Sequence, residues 1–349
     1  MLSRSLSRRT LVLIATSMGA VTLLATGVTY LLTFAALEDR SLAQIQQYTA
    51  ERAKREEARF VTAEDNHALL RQVLLDRLQQ PVTAESEAAA LARFDALIER
   101  TPDGAMRSRR ELGQGAQHTT TWIHKDTPLT PELRRRIVLL HDLCEQFFPA
   151  WRTRVQSLYI SGPERFNTGF DPLFPRWVWE IDADWDQSQE EWAAIATVEN
   201  NPGRVSRWTG VTIDPTTQVP IVTLSTPVDF EGRHVATLHH DISLQALVQE
   251  NLRSENAAMS HFIFRDDGML IAHPDKLDEL IAHGGQLRIQ DDPHSELASL
   301  YRAVLARPAP TAGYDEASGN YFTVSRLRGP GWLFTTTMPR SRVQERRSL

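Results

Sequence analysis

Cysteine is almost missing from this sequence: Cys144 stands alone among 349 residues. A single thiol excludes a disulfide framework and a thiolate metal cluster. Its setting, IVLLHDLCEQF, reads as the apolar face of an amphipathic helix, where a lone thiol is a packed core residue. Clustered positive charge is missing as well. The formal net charge is −6 and no Lys/Arg block follows the first ten residues, so no nucleic-acid partner is expected. No G-x-S-x-G elbow, P-loop or dinucleotide fingerprint occurs, which leaves no catalytic residue to name and no cofactor to expect. Metal sites fare no better. Asp182, Asp184 and Asp186 alternate as in a calcium loop, but Gln187 and Ala193 stand where an EF-hand needs Gly and Glu. His239 and His240 are adjacent in an extended run and point to opposite faces, so they cannot easily share an ion.

Glycine and proline are both absent from Glu38 to Gln80, and that composition predicts one long helix. Leu42 and Ile45 are spaced as a coiled-coil seam, and Leu70, Val73, Leu74 and Leu78 continue an apolar stripe. A helix with the charged middle ERAKREEARF gains its stability by packing on a second copy or on its own domain. Ahead of it lies the one long apolar run, TLVLIATSMGAVTLLATGVTYLLTFAAL, from Thr10 to Leu37. A span of about 20 apolar residues crosses a bilayer, whereas the apolar region of a signal peptide is about 7–15. The reading is an uncleaved anchor. Arg4, Arg8 and Arg9 keep residues 1–9 cytoplasmic, which places residues 38–349 outside the inner membrane in a single-pass topology.

Pro81 interrupts the long helix, and TAESEAAALARFDALIER resumes as a shorter one. TTTWIH, SLYIS and RWVWEID read as strands; TPELRRRIVLLHDLCEQFFPAW reads as a helix capped by Thr130 with Pro131 in its first turn. Ser188 and Glu191 form an S-x-x-E capping box for another helix. Ile221–Val228 and Arg233–His239 form a hairpin, after which Leu244, Leu247 and Val248 fall at helical spacing. A second α/β unit follows. It comprises the hairpin HFIFRDDGMLIAHP with a type I′ turn at Asp267-Gly268, the helix SELASLYRAVLAR, and two strands about Gly329-Pro330-Gly331. Hairpin connections of this kind predict antiparallel sheets with helices on one face, an α+β fold.

The segments IDPTTQVPIVTLSTPVDFEGRHVATLHHDISLQAL, FIFRDDGMLIAHPD and GPGWLFTTTMP, behind an anchor and a long helix, resemble the double Cache sensors of bacterial membrane receptors. DGAMRSRR, PER, NPGRVSRWTG and TPVDFEGRHVATLHHDI are more narrowly similar to the input regions of proteobacterial sensor histidine kinases. The resemblance implies a transmembrane helix at 10–37, a stalk helix and following helix at 38–100, and two tandem PAS-like antiparallel sheets with flanking helices. It puts a membrane-distal subdomain at 101–255, a membrane-proximal one at 256–339 and a tail at 340–349. It further implies a small-molecule ligand, homodimerisation through the stalk, and a transmitter domain that this chain lacks, whether as the input half of a longer receptor or as a truncated product.

In relatives that bind amino acids the distal pocket uses an R-x-W-Y element, a Tyr-x-Asp element and an acid before the helix that follows the long hairpin. Asp214 falls on the second element, with Thr212 in place of its tyrosine, and Asp241 falls on the last acid. Arg176, Trp177 and Trp179 lie near the first element but out of its spacing. Alternatives remain for each. Asp241 also suits a helix N-cap, Asp214 a turn before Pro215, and Arg176 an exposed surface. Trp177, Trp179, Trp185, Trp192 and Trp208 crowd one region and fit either a core or a pocket, with Trp179 and Trp208 the foremost pocket candidates. The expected function is extracytoplasmic small-molecule sensing, against a partner-binding anchor without ligand or an extracytoplasmic hydrolase.

Overall fold

The computed structural model describes residues 2–151, 157–172, 174–214, 218–248, 252, 259–291 and 295–341. The expected subdomain boundary at 255/256 and the tail from residue 342 lie outside them.

Helix α1 runs unbroken from Leu2 to Leu78, about 115 Å at 1.5 Å per residue. It is the one helix among the described residues long and apolar enough to cross a membrane, with a mean hydropathy of 2.0 in its apolar window. Its apolar side chains there are bare, Leu11, Leu23 and Leu31 among them. Burial begins at Ile45, which packs with Leu42 on Tyr321 and Met338, so the seam expected of a coiled coil is occupied by the chain's own sheet. Past Pro81, α2 (Ala84–Leu97) starts at a Thr83–Ser86 capping box and ends as Ile98 enters strand β1.

The first sheet is antiparallel throughout. It comprises β1 (Ile98–Arg100), β2 (Met106–Ser108), β3 (Thr120–Ile123), β4 (Ser157–Gly162), β5 (Phe166–Phe170), β6 (Arg207–Trp208), β7 (Thr212–Ile213), β8 (Pro220–Phe230) and β9 (Arg233–Ser243). Their spatial order is β1-β2-β3-β5-β4-β9-β8-β6, with β7 also on β8. The β8–β9 hairpin closes on Glu231 and Gly232, both at positive φ, the two-residue turn whose twist matches paired strands. Helix α3 (Pro131–Trp151) starts at Thr130, whose Oγ1 accepts from the Leu133 amide at 3.1 Å. Its buried face, including Cys144, joins Leu70 and Leu74 of α1 and Leu158, Ile160 and Leu238 of the sheet in one core. Burial pushes the Cys144 thiol far above its usual range, which keeps it inert.

RWVWEID is not a strand. Trp177–Glu180 form a helical turn, α4, because Arg107 donates to the carbonyls of Val178 at 2.7 Å and Ile181 at 2.8 Å. The expected Ser188 capping box is also absent. Asp186 accepts from the Ser188 amide, and the short α5 (Glu191–Ala194) has Glu190 at its N-cap. Asp241 caps no helix either: it lies inside β9, and Ser243 caps α6 (Leu244–Leu247).

The second sheet, in the order β11-β10-β14-β13-β12, contains β10 (Ser260–Phe264), β11 (Leu270–Ala272), β12 (Thr311–Asp315), β13 (Asn320–Arg326) and β14 (Leu333–Pro339). Helices α7 (Leu277–Ala282) and α8 (Glu296–Leu305) join its strands. The β10–β11 turn is not type I′. Gly268 donates to the Arg265 carbonyl, the Arg265 amide to Met269, and Gly268 alone takes positive φ, which makes a three-residue loop.

Helix α1 ties the sheets together. It meets the second sheet through Thr49 and Thr323 and through Glu57, which accepts from the Arg328 side chain at 2.8 Å and amide at 2.9 Å. At the junction Phe60 sits edge-on to Trp208 (5.0 Å) and Trp332 (5.3 Å). Two turns further on, His67 contacts Thr226 and His240 of the first sheet at 2.7 and 3.1 Å.

Candidate ligand cavity

The two faces of the first sheet differ in chemistry, and the strands' alternation decides which face holds what. Ser157, Tyr159 and Ser161 of β4 point one way, Leu158 and Ile160 the other. Across the ladder, Ser157 and Thr223 flank Asp241, Tyr159 lies between His239 and Gly169, and Ser161 opposes Asn167. The apolar set faces α1 and α3. The polar set faces a narrow cavity of about 70 Å³.

Asp241 sits at its floor, 7% exposed. The hydroxyls of Ser157 and Thr223 each donate to it at 2.7 Å, and that of Tyr159 at 3.3 Å. Burial raises its carboxyl pKa to about 6 and the negative charge of Asp214 adds to the rise, while the three hydroxyls oppose it. Burial, with Asp241 behind it, also holds the Tyr159 phenol well above its usual value. Gly169 opposite Tyr159 has no room for a side chain: a Cβ would come within 2.5 Å of the tyrosine Cα.

The walls come from the loops over the sheet. Phe170, Phe174, Trp177, Trp185 and Trp192 supply aromatic surface. Glu190 takes a hydrogen bond from Trp185 Nε1 at 3.3 Å, and burial raises its pKa. Thr212, Ile213 and Asp214 close the side near β8. The cavity therefore gathers Trp177, Thr212, Asp214 and Asp241. Arg176, Trp179 and Trp208 lie outside it. Arg176 is exposed and pairs with Glu180 at 3.4 Å. Trp179 donates to the Ser108 carbonyl at 2.9 Å beneath Arg110. Trp208 donates to Glu64 of α1 at 2.9 Å and fills the junction between the sheets.

Tyr159, Asn167, Asp171 and Glu190 were not expected from the sequence. The Ser-Leu-Tyr-Ile-Ser alternation of β4 was the available signal for the first. Among the described residues, the histidine nearest the cavity is not backed by a carboxylate. His239 stacks on Tyr159 and approaches Ser161 at 2.8 Å, but its second ring nitrogen faces the Ser225 hydroxyl at 3.0 Å instead of a carboxylate.

No protein-family model matches the chain, and no characterised protein matches it in sequence. Solved structures match it in fold. The sensory domain of the Campylobacter jejuni chemoreceptor Tlp3 (CcmL) with isoleucine bound aligns over 89% of this chain and 97% of its own, with a TM-score of 0.51 and 10% identity. The fold is that of a double Cache sensor domain. The ligand-binding domain of the Pseudomonas aeruginosa PAO1 amino acid chemoreceptor PctB in complex with L-Arg covers 86% of this chain and 97% of its own, at TM-score 0.49 and 15% identity. That of the Pseudomonas fluorescens chemoreceptor CtaA in complex with L-leucine covers 60% and 79%, at TM-score 0.43 and 18% identity. In this double Cache fold, the cavity sits on the sheet that packs on the far end of α1, at Leu70 and Leu74, away from its apolar stretch.

Proposed function

We propose that this chain is the extracytoplasmic input module of a membrane-anchored signal-transduction receptor and that it senses a small molecule in the cavity over Asp241. The observation that carries this reading is the arrangement about β9. Consecutive residues of a strand face opposite ways. Asp241 accordingly lies at the cavity floor while His240, one residue earlier, touches His67 of α1 at 3.1 Å. A ligand that draws on Asp241 shifts the strand that α1 rests on, and α1 continues into the apolar stretch Thr10–Leu37. A ligand moves such an equilibrium only through unequal affinity for its two states. The likeness to Tlp3, whose structure holds isoleucine, supports a small-molecule occupant.

In this reading residues 10–37 cross the inner membrane once and residues from 38 onward are periplasmic. Homodimerisation through α1 uses the side turned away from the sheets, since Leu42 and Ile45 already pack on Tyr321 and Met338. The output fits a histidine kinase by sequence resemblance and a chemoreceptor by likeness of fold to Tlp3. The test is a thermal-shift screen of the purified full chain in detergent against a library of small metabolites. A rise in midpoint that Asp241→Ala removes supports sensing. A flat response across the library overturns it.

A further inference from the structure

Resting on that reading, the charge and hydrogen-bonding of the cavity specify a class of ligand. Among the described residues the lining holds four carboxylates, those of Asp171, Glu190, Asp214 and Asp241, and no Lys, Arg or His. Two basic groups near it among the described residues are committed elsewhere. Arg107 spends its guanidinium on the Val178 and Ile181 carbonyls and on Asp103 at 2.6 Å, and Arg176 pairs with Glu180 at the surface. A ligand carboxylate would thus enter among like charges with no cation to receive it.

A second observation points the same way and owes nothing to the acids. Asn167 lines the cavity, is 5% exposed, and its buried Oδ1 has no hydrogen-bond partner. A buried acceptor left unmade is costly, and what it lacks is a donor. Because Asn167 lines the cavity, a donor held there is within the reach of that oxygen. The remaining surface is aromatic, from Tyr159, Phe170, Phe174, Trp177, Trp185 and Trp192. Aromatic faces attract cations and accept hydrocarbon.

We infer that the cavity binds a small organic ammonium ion that carries no carboxylate, its N–H groups directed to Asp241, Asp214 and Asn167 and its hydrocarbon part held among the tryptophans. An amino acid's ammonium group meets these acceptors equally well, but its carboxylate meets no cationic side chain among the described lining residues.

The experiment compares amines with the amino acids that differ from them by that one group: phenethylamine with phenylalanine, and isobutylamine with valine. The full chain in detergent is titrated with each by thermal shift and calorimetry, alongside neutral sugars and simple carboxylates. At least one amine is expected to raise the midpoint and to bind at least tenfold tighter than its amino acid. Asp214→Asn, at a half-buried position that spares the sheet, is expected to weaken the amine tenfold or more, and Asn167→Leu to weaken it as well. Equal or tighter binding of the amino acids overturns the ammonium assignment, as does binding confined to sugars or carboxylates; sensing at the cavity then survives if Asp214→Asn abolishes that response. Silence from every compound overturns both.

Discussion

At neutral pH, Asp241 is ionised inside the sheet against the cost of its own burial. Its folded pKa of about 6 stands above the usual carboxyl value of 3.8, so the folded chain binds this proton more readily than the unfolded one. Stability from this group therefore falls as pH rises from about 4 to about 6, and above that the penalty is fully present, up to about 3 kcal/mol. Asp241→Asn keeps an acceptor for Ser157, Thr223 and Tyr159 and removes the charge. The ligand-free variant is expected to melt several degrees above the wild type at pH 7.5 and level with it at pH 4, by differential scanning fluorimetry, while binding its ligand more weakly. A cationic ligand restores the charge balance only when Asp241 is ionised. Amine affinity is accordingly expected to weaken about tenfold for each pH unit below 6, read by titration calorimetry, and Asp241→Asn to flatten that profile. Gly169 belongs to the same scale. Any side chain at Gly169 places its Cβ on the Leu158 carbonyl and the Tyr159 Cα, so Gly169→Val is expected to force β5 off β4 and to lower the denaturation midpoint together with ligand binding, read by denaturant titration and calorimetry.

Among the elements, α1 does the most mechanical work, and its grip on the two sheets is concentrated at Phe60. That ring is fully buried between Trp208 and Trp332, with Glu64 one turn on holding the Trp208 indole. Phe60→Ala is expected to cost about 3–5 kcal/mol of stability by denaturant titration. It should change ligand affinity less than twofold, because Phe60 does not line the cavity. This helix was legible in the sequence, since a stretch without glycine or proline and with one apolar stripe has few other solutions. So were the long hairpin and α3, whose patterns and caps agree with their packing. Other features were not, three of them near the site. The Trp-Val-Trp alternation of α4 mimics a strand, and only Arg107, far off in sequence, turns it into a helix by seizing two of its carbonyls. Strand β5 has the poor strand sequence Phe-Asn-Thr-Gly-Phe, because Gly169 must pass Tyr159 and Asn167 must reach the cavity. Asp241 stands just ahead of a helical pattern and so reads as a cap, but pairing with both β4 and β8 carries β9 on to Ser243. The site was half legible for the same reason. Acids carried by family-like segments could be named, whereas Trp208 is drawn away by α1 and Arg176 by Glu180, contacts that no local pattern announces.

Across the whole molecule the buried histidines set the response to acid. His67, His239 and His240 form a chain from α1 through the first sheet, and His261 lies on the second sheet bonded to Thr336. Burial lowers all four below the usual value of 6.5, with neighbouring histidines adding to the effect at His67 and His239 and Arg52 adding to it at His261. For a base whose folded pKa is depressed, the unfolded chain binds the proton first. The stability these groups contribute is complete above pH 6.5 and is lost as pH falls toward about 4, where His240 and His261 titrate in the folded chain. Asp241 works in the opposite sense over the same window. The imidazoles outnumber it, so unfolding takes up protons on balance and stability falls with acid. Denaturant midpoints measured from pH 7.5 to 5 are expected to fall steeply, and His240→Gln to remove about one proton from the slope. Because His67 and His240 are also the contact between α1 and β9, hydrogen exchange should show the opening first in α1 around His67 and in β9, ahead of the second sheet. A slope unchanged by His240→Gln, or exchange that begins in β12 and β13, would show that acid acts elsewhere and that this contact is not the weak joint between the cavity and α1.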